Sequence, residues 1–119
     1  MIRRIARFSF TIGVLAVTWL SLTPRDALPE IHMWDKPQHL MAYAVLAICG
    51  AIGFLGRRPR LIIGVGLIVL GCSLEVAQAA VPGRNPSVGD AVANIAGIAL
   101  GLAAAWIGNR LVGESEGSK

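Results

Sequence analysis

Between Glu75 and Asn94 the chain reads EVAQAAVPGRNPSVGDAVAN, which sets Glu75, Gln78, Arg84, Asp90 and Asn94 between two apolar runs. Carboxylates, a guanidinium and carboxamides so close together can bind an anion, move a proton or hold a cation. Their surroundings make them costly. A charged side chain at the centre of a membrane helix costs roughly 2.5–3.5 kcal/mol, and such residues usually face a bundle interior or a water-filled cavity. Upstream, DKPQHLMAYAVL adds Asp35, Lys36, His39 and Tyr43. The spacings place these groups on helix faces: His39 with Tyr43 and Asp90 with Asn94 at i, i+4, and Glu75 with Gln78 at i, i+3.

The elements that must carry these residues follow from composition. The chain has 119 residues, 55% hydrophobic and 15% charged, whereas a soluble domain is about 45–50% apolar and about 25% charged. Charges cluster and leave neutral runs at Phe8–Pro24, Leu40–Gly56, Leu61–Leu74 and Ala91–Asn109. A membrane span needs about 20 mostly apolar residues. The runs therefore predict helices over about 5–23, 38–56, 61–80 and 90–108, the third only if Glu75 lies within it. The expected fold is an all-α membrane protein, one domain over 1–119, with four transmembrane helices in an antiparallel bundle.

The connections are read from breakers and charges. Met1–Arg7 is basic like the start of a signal peptide, but no small-x-small site follows the first run cleanly, so the first helix is expected to be retained. Thr23–Lys36 is a polar connection with Pro24 and Pro29, Asp26, Glu30 and His32. Helix 2 is expected to start near Pro37. RRPR at Arg57–Arg60 reads as a tight hairpin, and Pro82-Gly83 as the end of helix 3. Ser87 or Asp90 could cap helix 4, and Asn109–Lys119 reads as a loose polar tail. Cys49 and Cys72 read as small buried hydrophobes, and Trp19, Trp34 and Trp106 as interface anchors.

The formal net charge is +4, but its distribution argues against a nucleic-acid partner, because the basic residues sit at the ends of apolar runs. Eight of the 11 lie at the N-terminus, at 57–60 or in the tail; the others are Arg25, Lys36 and Arg84. The Lys/Arg bias toward the cytoplasmic side predicts both termini in the cytoplasm and the 23–38 and 81–89 loops outside. The start of helix 2, the end of helix 3 and the start of helix 4 then meet at the outer face. They would form a polar pocket, with Glu75 roughly 7–8 Å inside its helix end. Gly97 and Gly101 continue the Asp90–Asn94 stripe as a small-xxx-small face, suited to close helix packing or to an oligomer.

The strings DKPQHLMAYAVL, EVAQAAVPGR and SVGDAVANIAG resemble the VanZ-like family of small bacterial integral membrane proteins. The matching residues are Asp35, Lys36, His39, Tyr43, Glu75, Gln78, Pro82, Gly83, Arg84, Ser87, Asp90, Asn94 and Gly97, within Asp35–Gly101. The family is named for a protein associated with teicoplanin resistance. The resemblance thus implies a role in the cell envelope and location in the bacterial plasma membrane. It supplies no reaction.

The residues themselves leave several readings open. They can pair with one another as a purely structural network, with Arg84 or Lys36 neutralising Glu75. They can recognise an anionic or lipid-linked headgroup, such as a phosphorylated envelope precursor. Lys36, Tyr43, Gln78, Arg84 and Asn94 would do the binding, with amides at the start of helix 4. Or they can form a transferase or hydrolase, with His39, Glu75 and Asp90 as catalytic candidates and Arg84 stabilising negative charge. A metal held by His39, Glu75 and Asp90 has the right ligand types, but no HxxxH or HExxH spacing accompanies them. No metal and no cofactor are expected.

Overall fold

The computed structural model describes residues 1–29 and 35–117, with the side chains of residue 35 and residues 114–117 outside that description. The predicted roles of Glu30, His32 and Trp34 fall outside the described residues. The described chain is all helical. Four long helices follow one another: α1 (Ile2–Leu22), α2 (Asp35–Gly53), α3 (Arg57–Gln78) and α4 (Val88–Gly117).

Each helix stops where the backbone makes it stop. After Leu22, Thr23 turns extended and Pro24 offers no N–H to continue the ladder. A single 3-10 turn over Arg25–Ala27 follows. Gly56, at φ 113°, makes the reversal between α2 and α3; that left-handed conformation suits glycine. The expected hairpin at Arg57–Arg60 is instead the first turn of α3, where Pro59 is tolerated because first-turn N–H groups have no helical partner. The expected loose tail is corrected as well, since α4 continues to Gly117.

Side-chain contacts fix the alternation of the helices. Arg7 Nε of α1 donates to the Gly53 carbonyl at the end of α2 (2.8 Å), and its guanidinium lies over the Phe54 ring. At the opposite end, Gln78 Nε2 of α3 donates to the Ser21 carbonyl of α1 (3.2 Å). There the starts of α2 and α4 also meet, through His39 and Asn94. The helices run up, down, up, down.

α2 is the central helix. It packs against each of the others, most extensively on α4. Tyr43, Leu46 and Ala47 of α2 meet Leu67 of α3 and Ile98 of α4, and Phe10, Val14 and Val17 of α1 close over them. The approach of α4 is closest at Gly97 and Gly101, where a Cβ would run into the carbonyl oxygens of Leu40 and Ala44. The small-xxx-small face therefore lies against α2 inside the chain. The expectation that it could join two copies is corrected for that reason.

The outer faces of the helices are greasy. Phe8 (67% exposed), Leu15, Trp19, Leu61, Val69 and Leu111 all point away from the core, and α1 buries only Ala6. The hydroxyls of Thr11 and Thr18 in α1, and of Thr23 at its cap, donate to carbonyls four residues earlier. That is how a helix carries hydroxyls into lipid. Three helices, Ile2–Leu22, Arg57–Gln78 and Val88–Gly113, are long and apolar enough to cross a membrane. α2 is not among them, because Lys36, Gln38 and His39 occupy its first turn. The chain is a membrane protein by these three helices.

Glycine substitutions test the α2–α4 contact. Nothing lies within 4 Å of a Cβ at Gly108, so Gly108→Ala should be neutral or stabilising, by about 0.5–1 kcal/mol. Gly97→Ala should instead destabilise by about 1–3 kcal/mol through overpacking. Thermal unfolding in detergent reads both, and equal Tm values for the two variants would refute the contact.

Candidate functional site

Four polar side chains are buried in the described part of the molecule: Glu75 (7% exposed), Gln78 (5%), Asp90 (8%) and Asn94 (3%). All lie at the end of the bundle where α1 and α3 finish and α2 and α4 begin. Burial without partners would be expensive, about 1–3 kcal/mol for a neutral group and more for a charged one. Their contacts therefore decide what the site is.

His39 projects from the first turn of α2. Its Nδ1 is 2.9 Å from Asn94 Oδ1 and 3.8 Å from Glu75 Oε1. Glu75 Oε2 accepts the backbone N–H of Ser87 at 3.2 Å, so the segment before α4 is tied to α3. Ser87 also caps α4, its Oγ accepting the Asp90 N–H at 3.0 Å. Of the two expected caps, Ser87 is the one used. That frees the Asp90 carboxylate to turn inward, where Oδ1 is buried without a hydrogen-bond partner. One ligand-capable atom each from His39, Glu75 and Asp90 lies within 4.8 Å of the others. Because α3 ends at Gln78, Glu75 is about 4.5 Å inside the helix end by the helical rise, shallower than expected.

Arg84 does not neutralise Glu75. Its Nε donates to the Thr23 carbonyl at 3.0 Å and its NH2 to the Leu20 carbonyl. These carbonyls belong to the end of α1, whose last C=O groups lack helical partners and carry partial negative charge. No lysine or arginine among the described residues pairs with Glu75. Lys36 is exposed and crosses the first turn of α4, its Cε close to where a Cβ on Gly89 would stand.

No family model, curated protein or solved structure matches this chain.

Beside the cluster opens a cavity of about 830 Å³, within the range of about 300–1,000 Å³ typical of small-molecule sites. Its wall contains His39, Tyr43, Gln78 and Arg84, together with Arg25, Asp26 and Gln38, and is completed by apolar Val17, Leu20, Leu28 and Ala42. The predicted residues thus divide into two groups. His39, Glu75, Asp90 and Asn94 form a compact acidic cluster. His39, Tyr43, Gln78 and Arg84 line the cavity, and Lys36 belongs to neither.

Sequence reasoning placed the pocket among three helices and missed the contribution of α1 and of Arg25–Pro29. The only sequence signal there was a pair of charges, Arg25 and Asp26, in a loop read for orientation. Cys49 and Cys72 are both free thiols, and Cys72 is exposed rather than buried.

The Arg84 contacts carry a testable consequence. Hydrogen bonds to charged groups contribute about 1.5–3 kcal/mol, so Arg84→Ala should lower stability by about that amount. A lysine, lacking the planar fork, should recover only part of it. Chemical unfolding of both variants in mixed micelles would measure this, and an unchanged midpoint would show that Arg84 does not clamp α1.

Proposed function

We propose that this chain is a VanZ-like multi-pass protein of the bacterial plasma membrane, with all four helices crossing the bilayer and both termini in the cytoplasm. α2 can span although its first turn is polar, because the other helices surround it and that turn faces the cavity at the water boundary. The Lys/Arg distribution supports an orientation with the cavity end outside. The resemblance of three strings to the VanZ-like family supports an envelope role and a link to glycopeptide (teicoplanin) resistance.

The cavity binds an anionic or lipid-linked headgroup at the outer face. One observation carries this reading: the wall joins Arg25 and Arg84 to an apolar side made by Val17, Leu20, Leu28 and Ala42. An amphiphile has the same division. A guanidinium meets phosphate in a planar, forked geometry, while an acyl chain needs only a greasy groove. Two of the Arg84 donors already hold α1, so headgroup contact falls to its remaining donors, with Arg25, Gln78 and Tyr43 around it.

Native mass spectrometry of protein from micelles doped with phosphatidylglycerol or phosphatidylcholine tests the proposal. Wild type should retain phosphatidylglycerol selectively. The folded Arg25→Gln/Arg84→Gln variant should retain about tenfold less, equivalent to about 1.4 kcal/mol. Equal retention of both lipids, or no effect of the double substitution, would reject the site.

A second reading, a membrane hydrolase or transferase, is favoured by one feature. His39 stands in the cavity wall with a carboxylate, Glu75, 3.8 Å from Nδ1. A nearby carboxylate suits an imidazole to proton transfer, and Asn94 Oδ1 at 2.9 Å from Nδ1 fixes the ring. An enzyme would change the mass of a lipid-linked substrate on incubation with membrane extract, and His39→Gln would abolish the change while lipid retention survives. Unaltered lipid with wild type leaves binding as the function.

A further inference from the structure

We propose that His39, Glu75 and Asp90 form a binding site for one divalent transition-metal ion of the Zn²⁺ type, adjacent to the cavity and independent of what the cavity binds. The ligand types are suitable: one imidazole nitrogen and two carboxylate oxygens, a set that holds zinc with a position left open. Their geometry is close to closure. The three ligand atoms lie within 4.8 Å of one another, and bonds of about 2.0–2.2 Å need only small side-chain rotations to draw them in.

The decisive observation is independent of that clustering. Asp90 is more than nine-tenths buried (8% exposed), yet its Oδ1 has no hydrogen-bond partner. Glu75, equally buried at 7%, uses Oε2 to accept from Ser87 N and turns Oε1 toward His39. Two buried carboxylates therefore face one another, and no lysine or arginine among the described residues pairs with either. A divalent cation supplies both missing terms: the charge that opposes their repulsion, and a partner for Asp90 Oδ1. Asn94 Oδ1 lies 2.9 Å from the same His39 Nδ1 that faces Glu75, so the ring is held beside the carboxylates. Imidazole in the set favours zinc and its neighbours over magnesium or calcium. The exposed thiol of Cys72 and the half-buried thiol of Cys49 take no part.

Full-length protein in mild detergent, stripped with a chelator and desalted, would be titrated with Zn²⁺ by calorimetry and then examined by zinc X-ray absorption. The expected result is one Zn²⁺ per chain, with nitrogen and oxygen neighbours at about 2.0–2.2 Å and no sulfur at about 2.3 Å. Loss of a ligand should exceed the roughly 10–100-fold effect of losing an orienting partner. Asp90→Asn and His39→Gln should therefore weaken Zn²⁺ by more than about 100-fold. The proposal is overturned if folded wild type takes up no stoichiometric Zn²⁺, or if sulfur appears among the neighbours. Undiminished uptake in whichever of Asp90→Asn and His39→Gln folds would overturn it equally. The first two outcomes need no variant, so failure of a variant to fold leaves the test intact. Lipid retention is a separate readout, so loss of one site does not decide the other.

Discussion

The backbone of α4 lies against the backbone of α2 at two points, Gly97 on Leu40 and Gly101 on Ala44, and the polar end of the molecule depends on that contact. In lipid there is no hydrophobic drive between helices, so close packing of small residues and hydrogen bonds between helices must hold them. Fixing Gly97 beside Leu40 also fixes register. His39 precedes Leu40 by one residue, and Asn94 precedes Gly97 by less than one turn, so the two side chains arrive at the same level and meet at 2.9 Å. Any larger residue at Gly97 would part the helices and, with them, this pair.

With α2 and α4 in register, the other two helices are joined to the same end by polar contacts rather than by shape alone. α3 is bound through Glu75 to the Ser87 N–H. α1 is bound through the carbonyls of its last turn, which take Arg84 and Gln78. Those carbonyls would otherwise need water. Arg84 consequently serves the fold before it serves any ligand. This partly satisfies the view of the cluster as a structural network, though not completely: Asp90 Oδ1 is left over, and the cavity remains.

How much of this the sequence shows depends on the range of the interaction. The number and order of the long helices were legible because runs such as Leu61–Leu74 and Ala91–Asn109 are unmistakable, and the gathering of His39, Glu75, Asp90 and Asn94 followed from helix periodicity plus alternation. The ends were less legible. Arg57–Arg60 looks like a loop by charge, yet a first helical turn accepts Pro59 and exposed arginines without loss. The segment from Asn109 onward looks like a tail by polarity, but nothing in it breaks a helix already under way. The Arg84 contacts were hidden for another reason. Its acceptors are main-chain carbonyls 61 and 64 residues away, and a carbonyl is the same at every position, so no residue type announces it.

His39 belongs both to the cavity wall and to the acidic cluster. The cavity wall carries Arg25 and Arg84 together with Asp26; the cluster holds Glu75 and Asp90, buried and close together. A bundle stabilised only by internal pairing would bring a guanidinium onto the buried carboxylates, where low dielectric makes the attraction strong. Here the arginine nearest the acids is turned to α1, and the acids are turned to a histidine and an amide. Buried carboxylates without a lysine or arginine partner among the described residues suit a site that receives a cation from outside. A cation held there would give the buried carboxylates a reason to lack a basic partner in an otherwise greasy bundle.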